Sequence, residues 1–410
     1  MNSINSRLKF LNVIVLIGLS VAAYAKPAKV PGIVVDYLPA STKTFIGSPS
    51  ICVLPNGDYI ASHDYFGPAS TEHTQALTAV FKSSDSGKSW KKIAEIQGQF
   101  WSNLFVHQGG LYLMGTWKHH GNLIIRRSLD GGVSWTVPID QRHGLLREGE
   151  YHTAPMPMVI HNGRIWRAIE NAKSESKKWG LRYSAMVISA PLKADLLNAE
   201  SWVTTNFLPH NPDYLDGKFG GWIEGNAVVT PKGTLVDFLR VATSQKGEEL
   251  AAIVSISDDG LTASFDQSSG FINFVGGAKK FSIRYDSISS RYWTICNLIT
   301  PEFATMDAGS VRNTLVIKSS SDLKNWTIHK VLLHHPDVLK HGFQYIDWQF
   351  DGRDILYLSR TAFDDQYQGA DNFHNANFLT FHRIKNYKKL CSKSIKSLDF
   401  KKMPGSEKKE

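Results

Sequence analysis

Ser83-Ser84-Asp85-Ser86-Gly87-Lys88-Ser89-Trp90 returns as Ser128-Leu129-Asp130-Gly131-Gly132-Val133-Ser134-Trp135. The shared pattern is S-x-D-x-G-x-S-W, and its two copies lie about forty-five residues apart, the length of one four-stranded propeller blade. Each residue has a physical part. Asp accepts hydrogen bonds from nearby backbone N–H groups, Gly supplies a left-handed conformation, and Trp folds back onto the strands. Looser copies follow at Ile256-Ser257-Asp258-Asp259-Gly260-Leu261-Thr262 and at Ser320-Ser321-Asp322-Leu323-Lys324-Asn325-Trp326. A turn written several times over predicts a repeat architecture.

A second repeat supports this. Val53-Leu54-Pro55-Asn56-Gly57-Asp58-Tyr59-Ile60 is two β-rich runs joined by a tight turn, the signal of a hairpin. Similar segments lie at 105–112, 159–166 and 228–235, with looser versions at 284–293 and 349–355. Their spacing, roughly fifty to seventy residues, suits a four-stranded blade plus its loops. No helical period of any length is present. The chain is therefore expected to be an all-β propeller of six or seven blades. A ring must hide its edges, so Ile33-Val34-Val35 is expected to close it against Phe378-Leu379-Thr380-Phe381.

Length and charge bound the rest. Of 410 residues, 20% are charged, 11% are aromatic, and the formal net charge is +9. Much of the excess lies in the last stretch, including Lys388-Lys389 and Lys401-Lys402. Residues 388–410 are read as a basic, disordered tail rather than a nucleic-acid arm. Arg7 and Lys9 precede an apolar run, Phe10 to Val21, that ends at Ala23-Tyr24-Ala25. This is the pattern of a cleaved signal peptide over 1–25, with a mature propeller domain over 26–387. No Cys follows the apolar run, so neither a lipid anchor nor a membrane anchor is expected, and the protein is read as periplasmic or secreted. The three cysteines, Cys52, Cys296 and Cys391, are too few for a disulfide framework.

In a propeller the loops of one face surround a central funnel, and polar residues at the ends of inner strands supply its chemistry. Histidines gather at such places. They are His63 in His63-Asp64-Tyr65, His119 and His120 in Trp117-Lys118-His119-His120, Tyr151-His152, and His374. Imidazole titrates near neutrality and serves as acid or base. Arg167, Arg240 and Arg360 follow apolar strand residues and suit a bidentate grip on a carboxylate. Glu224 and Asp64 are the best carboxylates for a conventional acid–base pair. A Ca²⁺ near the axis has Asp364, Asp365 and Asn377 as candidate ligands, the alternative being that these side chains satisfy turns.

The S-x-D-x-G-x-S-W turns are identified as Asp-boxes, and the chain resembles the sialidase-like β-propellers. Sialidases of that group share an F-R-I-P motif whose Arg joins two later ones in clamping a carboxylate. Here the corresponding stretch reads Phe45-Ile46-Gly47-Ser48-Pro49, without that Arg, which argues against sialidase chemistry. A narrower resemblance lies in the block Glu148 to Glu170, in Phe343-Gln344-Tyr345-Ile346-Asp347-Trp348 and in Arg360 to Asp365. With His63, these look like exported propellers that cleave the terminal L-rhamnose–α-1,4-D-glucuronate linkage of gums. That resemblance implies seven blades and histidine-dependent catalysis. It puts the catalytic role on His63, with His119, His120, Tyr151 and His152 beside it. Arg167, Arg240, Arg360, Glu224 and Gln344 are then expected to bind substrate. Relatives show two histidines in the last segment. Here His374 matches, while the earlier position reads Asp371 or Asn372.

The expectation is thus an exported enzyme acting on an anionic polysaccharide, as hydrolase or lyase, with no certain cofactor and no fixed oligomeric state. Its rivals are an exo-α-sialidase-type hydrolase and a non-catalytic glycan-binding propeller.

Overall fold

The computed structural model describes residues 29–244 and 249–391. The signal segment and residues 392–410 of the tail lie outside the described residues. Lys388 and Lys389, expected to begin the tail, belong to a 3-10 turn, Tyr387–Leu390, anchored by the buried Tyr387.

Among the described residues, six antiparallel sheets of four or five strands follow one another along the chain. The protein is a six-bladed β-propeller. The seven blades implied by the rhamnosyl-glucuronate resemblance are a misreading, because each of the six hairpins seen in the sequence forms one blade and the described residues form no seventh. The first five blades span strands from Phe45 to Gln97, Phe100 to Arg147, Tyr151 to Thr204, Phe219 to Asn273 and Ser282 to His334. The sixth takes three strands from Gly342–Asp351, Asp354–Ala362 and Phe378–Ile384, and its fourth from the N-terminal Ile33–Tyr37. Ile33 pairs with Phe381 and Tyr37 with Phe378, so the two ends of the propeller are sealed into one sheet, as expected for a ring that leaves no edge open.

The hairpins form because their turn residues allow them. Gln108-Gly109 and Asn162-Gly163 both take positive φ at both positions, the geometry whose twist matches that of the flanking strands. The repeated turns lie between third and fourth strands and share one scheme. Ser83 Oγ donates to Asp85 Oδ1 (2.8 Å), and Ser128 Oγ donates to Asp130 Oδ1 (2.8 Å). Asp85 and Asp130 each accept two further backbone N–H groups, and Trp135 Nε1 donates to Gly132 O. Trp90 packs against Phe381 of blade six, so this turn stitches its blade to the preceding one.

The core sits between blades rather than within a single sheet. One cluster lies in each of the six gaps: Trp166, Trp222 and Leu239 between blades three and four, for example, and Trp293, Trp348 and Tyr357 between five and six. At about 25 cal/mol per Å² of buried apolar surface, these gaps hold the ring together. Cys52 and Cys296 are free and buried. No helix among the described residues is long and apolar enough to cross a membrane.

Candidate active site

Antiparallel blades put the starts of first strands, the ends of second strands and the second-to-third loops on one face. There they surround a funnel of about 550 Å³. A wider cleft of about 1000 Å³ meets it at Trp179 and His374.

Three blades aim a side chain into this region by the same device. The first strand of each carries a bulge, at Phe100/Asn103, Ile223/Asn226 and Gln344/Asp347. The bulged residues Trp101, Glu224 and Tyr345 have φ of 47°, 57° and 53°. A left-handed conformation costs a non-glycine residue about 1–2 kcal/mol, and strain of this kind collects where a side chain must be re-aimed. Beside Glu224, Gly225 leaves room for a neighbour: a Cβ there would press on the buried Asp237 carboxyl and force it to move.

Tyr345 stands among guanidiniums. Its phenol is within electrostatic reach of both Arg240 and Arg312. The guanidiniums of Arg360 and Arg312 lie 4.9 and 5.4 Å from its ring centroid. All three arginines are buried. Burial lowers Arg360 to about 9 and also lowers Arg312. At Arg240 burial works the same way but is outweighed by Glu224, and the net shift is upward. Glu224 Oε2 accepts from Arg240 Nη1 at 2.8 Å. Its own burial is outweighed by Arg240 and His152, which hold it below the usual carboxylate range. Three buried cations with one buried counter-charge make a receptor for a further anion.

The other arginine contacts fix this geometry. Arg312 Nη1 donates to Gln344 Oε1 (2.6 Å), and Gln344 Nε2 donates to Phe373 O (2.6 Å). Arg360 Nη2 donates to His374 O (2.6 Å) and stacks 4.2 Å over Phe66. Trp179, half exposed, covers Arg240 at 5.1 Å.

The opposite wall carries carboxyls and imidazoles. Glu72 lines the funnel, and burial raises its pKa. Asp64 is raised to about 7 by burial, against the pull of Thr78 Oγ1 and Trp101 N–H. His119, His120 and His152 also line the funnel. Burial lowers His119 to about 3 and His120 to about 2, so both are neutral imidazoles at physiological pH. His152 Nδ1 meets Glu170 Oε2 at 2.8 Å, and Glu170 Oε1 accepts the Gly225 N–H (3.1 Å). Glu170 thus ties the histidine wall to the bulge of Glu224.

Of the residues expected from the sequence, the structure gathers Asp64, His119, His120, His152, His374, Arg240, Arg360 and Glu224 around the funnel and its adjoining cleft, with Gln344 behind Arg312. It does not bring the others there. His63, expected as the catalytic histidine, is fully buried, with Nε2 2.8 Å from Asp36 Oδ2 on the N-terminal strand. It pins that strand to blade one and has no face on the funnel. Tyr151 packs in the apolar gap between blades two and three. Arg167 is consumed by main-chain oxygens, Nη1 donating to Met114 O (2.5 Å) and Nη2 to Ala154 O (3.0 Å). Asp365 accepts from Tyr37, Tyr367 and Gly369, while Asn377 bonds the Phe363 main chain. Asp364 turns instead toward His341, so the three do not form one calcium cage.

Tyr345, Arg312, Glu72 and Trp179 were not among the residues expected. Arg312 precedes its strand, Thr314–Ser320, whereas the expected arginines follow apolar strand residues. Tyr345 reaches the funnel through a bulge that no periodicity announces.

The F-R-I-P arginine is missing from Phe45-Ile46-Gly47, yet the cluster still has three members. Arg360, on the second strand of blade six, supplies the third.

No family model and no curated protein matches the chain. Solved structures do. An α-L-arabinanase of Penicillium chrysogenum complexed with arabinobiose is 14% identical over 88% of this chain and 99% of its own, with a TM-score of 0.53. An α-L-arabinofuranosidase of Fusarium graminearum is 11% identical over 90% of this chain and 100% of its own (0.56). A sialidase of Trypanosoma rangeli in complex with sialic acid is 14% identical over 85% of this chain and 55% of its own (0.53). At these identities the likeness is one of fold: the chain has the fold of the arabinanase and sialidase propellers.

Proposed function

We propose that the protein is a glycoside hydrolase that removes a terminal acidic sugar, with the carboxylate held by Arg240, Arg312 and Arg360 and with Tyr345 as nucleophile. One observation carries this. Tyr345 stands among the guanidiniums that would grip a carboxylate, those of Arg360 and Arg312 lying 4.9 and 5.4 Å from its ring centroid. A carboxylate bound there lies beside the phenolic oxygen, so the attacked carbon and the carboxyl group must be neighbours. That is the constitution of a 2-keto acid glycoside such as a sialoside. In a uronide the carboxyl is on C5, across the ring oxygen from the anomeric carbon. Tyrosine nucleophiles are a known alternative to the two-carboxylate arrangement of glycosidases.

In this mechanism Tyr345 attacks the anomeric carbon while Glu72, whose pKa burial raises, delivers a proton to the departing oxygen. Glu224, which pairs with Arg240 beside Tyr345, takes the phenol proton and returns it to the phenolate as the sugar–tyrosine bond breaks. Water then releases the sugar from tyrosine, with Glu72 as base. The arabinanase, the arabinofuranosidase and the sialidase among the structural neighbours support a carbohydrate substrate.

The test is a three-substrate comparison: a fluorogenic sialoside, a fluorogenic glucuronide and a gum with terminal rhamnosyl-glucuronate. Release from the sialoside, lost in Tyr345→Phe, is expected. Release of rhamnose from the gum with none from the sialoside would move the substrate to a uronic-acid glycan. Ultraviolet absorbance of an unsaturated uronate would replace hydrolysis by elimination.

A further inference from the structure

At the junction of blades five and six, three loops bring together side chains that the funnel does not use. His335 follows strand Thr327–His334, His341 precedes Gly342–Asp351, and Asp364 follows Asp354–Ala362. Each offers a ligand atom, and these atoms all lie within 4.8 Å of one another. The imidazoles stack with centroids 3.4 Å apart and planes 17° apart, and Phe363 closes one side.

His341 is the informative member. It is 3% exposed, and neither ring nitrogen makes a hydrogen bond. Nδ1 faces Asp337 Oδ2 at 3.4 Å and Nε2 faces Asp364 Oδ1 at 3.3 Å. Asp337 is itself fixed by the N–H groups of Leu339 and Lys340. The Nε2–Asp364 contact is short enough for a hydrogen bond but badly aligned, so the in-plane direction of Nε2 passes beside the carboxylate oxygen. An ion held by both atoms lies off the line between them, as that misalignment requires. About 3.3 Å is also the edge of a tetrahedron of ligands at 2.0–2.1 Å from a zinc ion.

We infer that His335, His341 and Asp364 form a site for a zinc-type divalent transition metal, with Asp337 orienting His341 from behind. Two imidazoles and one carboxylate select such an ion over Ca²⁺ or Mg²⁺, which take oxygen ligands. The carboxylate–histidine–metal chain is the usual way a ligating imidazole is held. One hydrogen bond must yield: Asp337 N–H donates to His335 Nδ1 at 3.1 Å. A metal either takes that lone pair or, at Nε2, obliges Nδ1 to carry the proton. The ion would clip together the loops that lead into Tyr345 and out of Arg360, so its role is to hold the rim of the funnel rather than to react.

The test uses the full chain stripped with a chelator and titrated with Zn²⁺ by calorimetry. One ion per chain is expected, with Tm raised about 3–4 °C at a hundredfold excess over Kd. His335→Gln and Asp364→Asn should weaken binding at least about 100-fold, and Asp337→Asn about 10–100-fold, each with an unchanged metal-free Tm. X-ray absorption of the zinc-loaded wild type should count two imidazoles and carboxylate oxygen, a readout that needs no variant. Absence of binding, a different imidazole count, or a site that survives both ligand variants and vanishes in His119→Ala would overturn the assignment.

Discussion

Glu224→Gln tests the arginine receptor directly. The substitution keeps the size of the side chain and an oxygen for Arg240 but removes the only carboxylate among the described residues that forms an ion pair with the cluster. Glu224 is 2% and Arg240 5% exposed, so water cannot take over. Breaking a buried pair from one side costs about 3–5 kcal/mol, because the other charge is left uncompensated. With about 2.1 cal/mol/K of unfolding entropy per residue over about 360 described residues, that is a fall in Tm of about 4–7 °C. The sign with pH follows from the depressed pKa of Glu224. Its stabilisation is complete above the ordinary carboxylate range and is lost as pH falls through the folded value. The gap between wild type and variant therefore narrows on acidification. A carboxylate ligand should then restore what was removed: N-acetylneuraminic acid raises the Tm of Glu224→Gln more than that of the wild type. Scanning calorimetry at pH 7 and pH 4, with and without the sugar, reads all of this. A Tm within about 1 °C of wild type, or a variant that gains nothing from the acid, would refute the idea of a cluster short of one anion.

Tyr345→Phe should lower kcat by at least about 10³-fold with Tm nearly unchanged, as expected for loss of a nucleophile; a fall of less than tenfold in steady-state kinetics would remove it from that role. Glu72→Gln should cost about 10²–10⁴ in kcat on alkyl glycosides and far less on activated aryl glycosides, which need little protonation. Its raised pKa makes the wild-type rate fall as pH rises through that value, and the variant's kcat–pH profile should lack this alkaline limb. His63→Ala should leave kcat within about twofold but destabilise by about 1–3 kcal/mol, since Asp36 loses its partner on the N-terminal strand; loss of turnover at unchanged Tm would return His63 to the catalytic group.

The repeated turns and the six hairpins were legible because their information is local. Ser83, Asp85, Gly87 and Trp90 meet within eight residues, and an Asn-Gly pair selects its own turn. The closure of Ile33–Tyr37 on Phe378–Ile384 was also within reach, since a ring with open edges is not an option for an exposed strand. The site was only partly legible. Histidines and arginines at strand ends pointed to the right face, but strand periodicity decides which of two neighbours looks inward. His63 and Asp64 are adjacent, so their side chains lie on opposite faces: Asp64 reaches the funnel and His63 the gap toward the N-terminal strand.

The sequence by itself determined that this chain is a β-propeller and where its blades begin. Only the tertiary structure decided that the ring closes at six, because closure depends on how tightly neighbouring blades pack through Trp166, Trp222, Trp293 and Trp348. Only the tertiary structure joined Arg240, Arg312 and Arg360 around Tyr345. Those residues come from three blades, and the bulge that turns Tyr345 inward is held by its surroundings and not by its own propensity. The Ser-x-Asp turns hold blades to their neighbours, and the chemistry collects at the opposite ends of the strands they join.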